Sequence, residues 1–275
     1  MMEKKEILFL QEKANEIRKI TVEMIGRIGV GHFGGALSIC DLLSVLYYKY
    51  MNIDPKDPKK ADRDRLVISK GHAGPALYST LAMKGYFDME LIKTLNKPGT
   101  CLPSHCDMNK TVGIDMTAGS LGQGLSCAVG MALASKLDKI DNKIFCIIGD
   151  GESQEGQIYE AMMLAGNKKL DNLIIIQDNN KMQIDDYTDN LNSIEPFDKK
   201  GEDFHLYAQR VKGNDIESLC KAIDNCYNQK EKCNLIVMDT IKGCGWKVAE
   251  DKKLGNHNFA VTEEEWKCFC GKEAK

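Results

Sequence analysis

Short apolar runs bounded by turn-forming residues recur along the chain and alternate with stretches of helical periodicity. Such runs are typical of buried strands. Five segments fit this description: "LVIS" (66–69), "IFCII" (144–148), "LIIIQ" (173–177), "AQRV" (208–211) and "LIVMD" (235–239). Helical patterns cover 6–26, 37–50, 122–137, 154–168 and 216–228, and the glycine-rich "GVGHFGGA" separates the first two. The alternation predicts the α/β class, with a doubly wound, mostly parallel sheet and helices on both faces.

Length and charge narrow the class of protein. We expect the 275 residues to form one domain, because no linker-like stretch divides them. The net charge of −3 gives no electrostatic footprint for nucleic acid. No run of 18 or more apolar residues is present, and the first residues lack a signal-peptide pattern. We therefore expect a cytoplasmic protein with no membrane segment.

The chain has eleven cysteines, and an odd number at irregular spacings does not indicate a disulfide framework. Several fall within apolar patterns, where free cysteine packs as a small hydrophobe: Cys40, Cys127, Cys146 and Cys220. This usage fits a reducing compartment. A zinc or redox site at Cys268 and Cys270 is a minor alternative, since no second Cys/His pair accompanies them.

Two consecutive predicted strands end in polar residues that suit a metal ion. "IFCII" ends at Gly-Asp-Gly (149–151), and "LIIIQ" is followed by Asp-Asn-Asn, with 27 residues between Gly151 and Asn179. A right-handed β-α-β unit brings both strand ends to one sheet edge, where ligands bind. Neighbouring strands lie about 4.8 Å apart, so a cation with bonds of about 2.1 Å could be held by Asp150 and Asn180 together. The metal would then hold a diphosphate beside an acidic turn; two tight turns without a ligand are the alternative.

Two other phosphate-binding motifs match poorly. Gly151 and Gly156 have the glycine spacing of a Walker A loop, but Gln157 and Ile158 stand where Lys and Ser/Thr are required. "GSLGQG" (119–124) reverses the glycine order of the dinucleotide fingerprint, and no strong apolar strand precedes it. We predict neither site.

Four of the five histidines lie beside glycines or other turn formers: His32, His72, His105 and His257. The fifth, His205, is in an ordinary polar stretch. A single histidine of this kind is as readily a plain loop residue. Together they suggest imidazoles converging on a pocket, because turns allow such convergence and imidazole is a neutral or cationic donor near pH 7. A diphosphate and a polyhydroxylated substrate would use these groups.

The Gly-Asp-Gly…Asn-Asn spacing resembles the thiamine diphosphate signature. Further blocks in order and spacing resemble the N-terminal subunit of the split, two-chain form of transketolase: "GHFGGALSICDLL", "DRLVISKGHAGPALYS", "GIDMTAGSLGQGLSC", "GDGESQEGQIYEAMM" and "TIKGCG". The resemblance covers roughly residues 15–260. It implies the thiamine diphosphate-binding fold, specifically its diphosphate-binding domain.

The resemblance also implies roles for individual residues. Mg²⁺ or Ca²⁺ would be bound by Asp150, the side chain of Asn180 and the backbone carbonyl of Met182. The remaining cofactor contacts would come from Gly151, His72 and His257 at the diphosphate, and from Gly119 and Leu121 at the rings. His32 and His105 would face the sugar hydroxyls and assist proton transfers, with His257 as a third catalytic histidine. Glu155 and Glu160 match acids near the subunit interface of the family, and they fit an acidic first helical turn equally well.

Several positions depart from the family pattern around the substrate side of the pocket. Ser104 and Cys106 flank His105, "LGNHN" replaces a Trp-His-Gly at His257, and Ala36 replaces a small polar residue. The glycine that usually follows Ile-Asp is also absent at 186. The departures bear on the choice of sugar more than on the cofactor.

The activity implied by the resemblance is transfer of a two-carbon ketol unit from a ketose phosphate to an aldose phosphate, by default in pentose-phosphate metabolism. In the family that this chain resembles, the reaction also needs a glutamate from a pyrimidine-binding domain. We therefore expect a separate C-terminal subunit and an assembly of two of each chain. The alternatives are a subunit of another thiamine diphosphate enzyme, of the deoxyxylulose-phosphate synthase or 2-oxoacid dehydrogenase kind, and a noncatalytic binding subunit.

Overall fold

The computed structural model describes residues 2–272 and is built around a sheet of five parallel strands. The strands in chain order are β1 (Val30–Gly31), β2 (Arg65–Ile68), β3 (Ile144–Gly149), β4 (Leu173–Asn179), β5 (Tyr207–Lys212), β6 (Asn234–Asp239) and β7 (Phe259–Ala260). The main sheet has the order β2-β3-β4-β6-β5, and β1 pairs antiparallel with β7 in a separate ribbon. All five predicted strands are confirmed, as is their parallel arrangement.

Helices connect the strands and lie on both faces of the sheet. They are α1 (Lys4–Gly26), α2 (Phe33–Leu37), α3 (Cys40–Val45), α4 (Gly74–Lys84), α5 (Gln123–Leu137), α6 (Gly156–Asn167), α7 (Thr188–Asn192), α8 (Phe197–Asp203), α9 (Ile216–Asn228), α10 (Lys247–Glu250) and α11 (Glu263–Cys270). Alternate residues of each strand enter two hydrophobic clusters, as the period of two requires. In β3, Phe145 and Ile147 pack with α1 to α4 and α9, whereas Cys146 and Ile148 pack with α5 and α6. The doubly wound prediction is confirmed.

The helix predicted over 37–50 is wrong in its bounds. Two short helices, α2 and α3, are followed by a π-helical turn at Leu46–Tyr50, and α2 begins inside the stretch expected to be a glycine-rich loop. The Ser38 hydroxyl lies 2.5 Å from the Asp178 carboxylate, and the backbone leaves helical geometry at the next residue, Ile39 (φ −104°, ψ 4°). Gly34 allows α2 to approach the rest of the domain, since a Cβ there would lie 2.4 Å from the Asn256 carbonyl oxygen. Tertiary contacts thus override the weak local preference of this segment.

Two further expectations can be compared with the structure. All eleven cysteines lie within residues 2–272 and are free thiols, and the Cys270 Sγ donates to the Lys19 carbonyl at 3.3 Å. Within the same residues no group of three or more His, Cys, Asp or Glu side chains is arranged to hold a metal ion. None of the helices among them has the length and apolarity needed to cross a bilayer. That residues 1–275 form one domain stays a prediction, and residues 1 and 273–275 lie outside the described part.

Candidate functional site

The ends of β3 and β4 form the floor of the candidate site. These strands are neighbours in the sheet, with Gly149 paired to Asp178. The Asp150 N–H then donates to the Asp178 carbonyl at 3.2 Å. Asp150 and Asn180 consequently line the same cavity, which has a volume of about 400 Å³. The shared cleft expected from the β-α-β unit is present.

Every residue assigned to the site from the sequence lines this cavity. They come from seven separate segments of the chain: His32, His72, His105, Gly119, Leu121, Asp150, Gly151, Asn180, Met182 and His257. His205, which the sequence does not assign to the site, is exposed and lies elsewhere. The structure therefore brings the predicted residues together, while their individual roles stay predictions.

One carboxylate oxygen of Asp150 is buried without a partner, as expected for a cation ligand. Its Oδ1 accepts a hydrogen bond from the Gly151 N–H at 2.8 Å, but its Oδ2 is buried and has no partner. Burial and the neighbouring Asp178 carboxylate raise the pKa of Asp150 to about 7. An unsatisfied buried acceptor costs about 1–3 kcal/mol. A bound metal ion would remove that cost.

Asn180 and Met182 present two more oxygen atoms near Asp150. The Asn180 Nδ2 donates to Asp178 at 3.2 Å, which turns its Oδ1 toward the Met182 N–H, also at 3.2 Å. Gly151 lets the 149–151 turn approach this segment closely, because a Cβ there would lie 2.8 Å from the Gln183 Cβ. Carboxylate, amide and carbonyl oxygens are the donor set that Mg²⁺ and Ca²⁺ prefer. The residues present therefore fit a divalent cation.

Three charged residues of the site were missed from the sequence: Lys70, Asp178 and Lys242. Asp178 is fully buried and accepts hydrogen bonds from Lys70, Ser38 and Thr240. Burial disfavours its charged form, but the Lys70 ammonium and the hydrogen bonds outweigh burial and keep the pKa of Asp178 below its ordinary value. Lys70 and Lys242 follow β2 and β6 at the ligand-binding edge. That position was the signal available in the sequence.

A fourth missed residue, Glu152, joins the segments that surround the cofactor position. Its buried carboxylate accepts the Gly122 N–H at 2.8 Å, the Gly149 N–H at 2.9 Å and the Ser69 hydroxyl. It thereby fixes the 119–122 loop against the 149–151 turn. Glu155 and Glu160, by contrast, are exposed. Helix α6 begins at Gly156, so Glu155 occupies its N-cap position.

The four predicted histidines form one cluster with His32 at its centre. Its ring centroid lies 5.4 Å from that of His72, 5.7 Å from that of His105 and 5.2 Å from that of His257. Burial lowers the pKa of all four, and Lys70 adds to the shift of His72. Burial and the Lys242 ammonium lower the pKa of His257 to about 4. At pH 7 the ligand-free cluster is therefore uncharged and able to accept protons.

The lowered pKa of His257 predicts a pH-dependent stability for the ligand-free chain. The ordinary imidazole pKa is 6.5, so between about pH 6.5 and 4 the unfolded chain binds a proton at His257 that the folded chain does not. The contribution of His257 to the free energy of unfolding is complete above pH 6.5 and is lost as the pH falls toward 4. We expect the free energy of unfolding of wild type, measured with urea, to fall relative to that of His257→Gln as the pH is lowered over this range.

The exposed His205 lies outside the cavity, so His205→Gln is the control for the histidine-to-glutamine replacement itself. Asp150 acts in the opposite direction, because its raised pKa makes the folded chain bind a proton that the unfolded chain releases. Both wild type and His257→Gln contain Asp150, so its contribution cancels when their free energies of unfolding are compared at each pH. A difference between wild type and His257→Gln that is constant from pH 7 to pH 4 would contradict the assignment.

Comparison with known proteins gives one family. The family model described as "Transketolase, thiamine diphosphate binding domain" matches residues 10–269. The 6-deoxy-6-sulfo-D-fructose transketolase subunit SqwG of Clostridium sp. strain MSTE9 is 55% identical over 94% of each chain. One subunit of the apulose-4-phosphate transketolase of Phocaeicola vulgatus is 38% identical, over 94% of this chain and 91% of that protein.

Solved structures agree with this result. Transketolase of Campylobacter jejuni superposes with a TM-score of 0.89 and 34% identity, over 97% of this chain and 43% of that one. Transketolase of Leishmania mexicana superposes with a TM-score of 0.88 and 31% identity, over 96% of this chain and 41% of that one. The chain thus spans nearly the full length of the curated subunits but less than half of the solved transketolases.

Proposed function

The chain belongs to the transketolase family as a thiamine diphosphate binding domain, and from this premise we propose that it supplies the metal–diphosphate half of the active site of a two-chain transketolase. The observation that carries the proposal is the unpartnered Asp150 Oδ2 in a cavity shared with Asn180, Met182 and four histidines. A noncatalytic subunit would have no need to retain this costly arrangement.

Each residue of the cavity has a defined task in the proposed enzyme. Asp150, Asn180 and the Met182 carbonyl would hold Mg²⁺ or Ca²⁺, whose charge would allow the acidic turn to face a diphosphate. Gly151, His72 and His257 contact the diphosphate, while Gly119 and Leu121 contact the rings. When bound, thiamine diphosphate supplies the electron sink for breaking the ketose C2–C3 bond.

The remaining histidines handle the protons of the sugar. His32 and His105 lie beside each other at the cavity, and both have pKa values below that of free imidazole. A neutral imidazole can take a proton from the C3 hydroxyl as the C2–C3 bond breaks, and it can return one to the acceptor aldehyde oxygen as the new bond forms. The ketol unit passes to the acceptor, and an aldose two carbons shorter than the donor leaves.

The other half of the site is assigned to a partner chain. Three relatives that this chain matches over more than nine-tenths of their length carry the word "subunit" in their names, whereas the Campylobacter jejuni transketolase is more than twice as long as this chain. We propose that a C-terminal subunit contributes a pyrimidine-binding domain with the required glutamate, in an assembly of two of each chain. Leu121 and Ile184 support this arrangement, since they line the cavity yet are 39% and 65% exposed. The free cysteines support a cytoplasmic location.

For the sugar donor we propose 6-deoxy-6-sulfo-D-fructose in place of a sugar phosphate. The relative named for this ketose is 55% identical, which favours it over apulose 4-phosphate, whose transketolase has a subunit only 38% identical. The departures at Ser104, Cys106 and Asn256 are sequence neighbours of His105 and His257, which line the cavity. Ketol transfer from this donor would release a four-carbon sulfonated aldose.

Ketol transfer should require both chains. We expect the purified chain alone, supplied with Mg²⁺ and thiamine diphosphate, to show no turnover above the buffer rate with D-glyceraldehyde 3-phosphate as acceptor. Adding the C-terminal subunit should restore the activity, because the glutamate and half of the cofactor pocket come from it. Substantial turnover by the chain alone would refute the division of the site between two chains.

The same assay with the complex distinguishes the donors. The sulfonated ketose should give a kcat/KM at least about tenfold above that of fructose 6-phosphate, the difference that about 1.4 kcal/mol of transition-state binding produces. Equal values would leave the transketolase assignment standing and remove the sulfonate specificity. Turnover of pyruvate in place of both ketoses would instead identify another kind of thiamine diphosphate enzyme.

A further inference from the structure

Lys242 is a buried lysine whose charge has no partner of its own. It follows β6, is only 4% exposed and lines the cavity. Within residues 2–272 its ammonium forms no ion pair, and its Nζ donates to the Met182 carbonyl at 3.1 Å. The other buried lysine of the site, Lys70, is paired with Asp178. Buried lysines without a paired anion are rare, so Lys242 needs a specific explanation.

The hydrogen-bond acceptor of Lys242, the Met182 carbonyl, supplies that explanation. The Met182 carbonyl is one of the three oxygens assigned to the metal, and the unpartnered Asp150 carboxylate lies in the same cavity. Resting on the proposed function, we propose that the Lys242 ammonium is the resident cation of the metal site before the metal binds, so that a divalent metal binds tightly only together with an anion that accepts this ammonium.

The geometry makes the two cations competitors. A metal bound to the Met182 carbonyl would lie about 2.1 Å from its oxygen, and the Lys242 Nζ lies 3.1 Å from that same atom. The carbonyl oxygen can accept twice, but two cations so close together in a buried cavity repel each other. A metal arriving alone must therefore bind against the ammonium or displace it into the cavity.

A diphosphate removes this conflict. Its oxygens accept hydrogen bonds and carry negative charge, so the displaced ammonium gains a partner, and the metal gains further ligands. Metal and diphosphate then strengthen the binding of one another through Lys242, in addition to their direct contact. The arrangement keeps the Met182 carbonyl occupied until the anionic cofactor arrives.

A purely structural role for Lys242 makes a different prediction. If the ammonium only ties the 180–182 segment to β6, then removing it loosens the metal ligands and weakens metal binding. The proposed role requires the opposite, because the variant has lost the competing charge. The sign of the change in metal affinity therefore separates the two roles.

The experiment measures Mn²⁺ binding to the two-chain complex, without and with saturating thiamine diphosphate. Free Mn²⁺ is followed by electron paramagnetic resonance, in wild type and in Lys242→Met, which keeps the chain length and loses the charge. We expect Mn²⁺ alone to bind about tenfold more tightly to the variant, within the usual range of coupling between two sites. The strengthening of Mn²⁺ binding by thiamine diphosphate should shrink by a similar factor.

Controls separate the possible failures. Lys253→Met, at an exposed lysine on a neighbouring turn, should behave as wild type. Unchanged or weaker binding of Mn²⁺ alone to Lys242→Met overturns the proposal while leaving the enzyme assignment intact. Failure of the wild-type complex to bind thiamine diphosphate at saturating Mn²⁺ would overturn the proposed function itself. If Lys242→Met does not fold, Lys242→Gln takes its place. The effect of thiamine diphosphate on the Mn²⁺ affinity of wild type is a further test, because a wild-type Mn²⁺ affinity that does not depend on thiamine diphosphate rules the proposal out.

Discussion

Replacing Asp150 with asparagine should weaken binding of thiamine diphosphate and Mg²⁺ by roughly 100-fold or more, because losing one member of a buried charge pair costs about 3–5 kcal/mol. Asp150 is the only carboxylate assigned to the metal, and its Oδ2 is the atom left without a partner. Asparagine keeps the shape and removes the charge. We expect ketol transfer by the complex to fall in proportion at limiting cofactor, measured alongside cofactor affinity by calorimetry.

The stability of the ligand-free variant distinguishes lost binding from lost folding. Burial and the neighbouring Asp178 carboxylate disfavour the charged form of Asp150 and raise its pKa to about 7, so Asp150→Asn, which removes this charge, should unfold at the same urea concentration as wild type or a higher one. Asp185→Asn is the matched control, because it makes the same charge change at an exposed position of the nearby loop. Wild-type cofactor affinity in Asp150→Asn would show that the metal is held elsewhere.

The strands and the convergence of Asp150 and Asn180 on one cavity were predictable because local patterns determine both. An apolar run such as 144–148 predicts a buried strand whichever partners it finds, and parallel connections bring consecutive strand ends to one edge. The placement of Asp150 beside Asn180 then follows from chain order alone. The histidines required more, since their loops have no periodicity. Their positions next to glycines gave only the expectation that they could converge.

Residues that act through long-range pairing could not be identified in this way. In the sequence Lys70 is an ordinary polar residue after a strand, and only the fold brings it to Asp178, which is 108 positions away along the chain. In the sequence, Glu152 is one of three acids that follow the same strand, together with Asp150 and Glu155. Burial separates it from Glu155, because its carboxylate binds N–H groups of two loops. The bounds of α2 were missed for the same reason, since contacts with Asp178 and Asn256 decide them.

The buried charges explain how an acidic turn can serve an anionic cofactor. Lys70 neutralises Asp178, so in the proposed site Asp150 remains available for the metal and Lys242 for an anion. The four histidines stay neutral beside these lysines, because adding further positive charge to a buried cavity is unfavourable. The site therefore holds neutral histidines, which can accept protons, next to the oxygen atoms assigned to the cation, and neither set cancels the charge of the other. This separation is what proton transfer beside a bound diphosphate requires.

His32→Gln should lower kcat of the complex by about 10²–10⁴, the contribution that general acid–base catalysis usually makes. His32 lies at the centre of the histidine cluster, directly before α2, and lines the cavity. Glutamine retains a hydrogen-bonding side chain but cannot exchange protons at neutral pH. The cofactor affinity should change less than tenfold, since the metal and diphosphate ligands remain. Steady-state kinetics with calorimetry of cofactor binding measures both quantities.

Comparison with two other histidines tests whether His32 acts on protons or only on binding. His205→Gln should leave both constants unchanged, because His205 is exposed and outside the cavity. His72→Gln should act mainly on cofactor affinity, because His72 is assigned to the diphosphate. If His32→Gln weakened the cofactor as much as His72→Gln and left kcat near wild type at saturation, His32 would be a cofactor ligand. The proton transfers would then belong to His105, His257 or the partner chain.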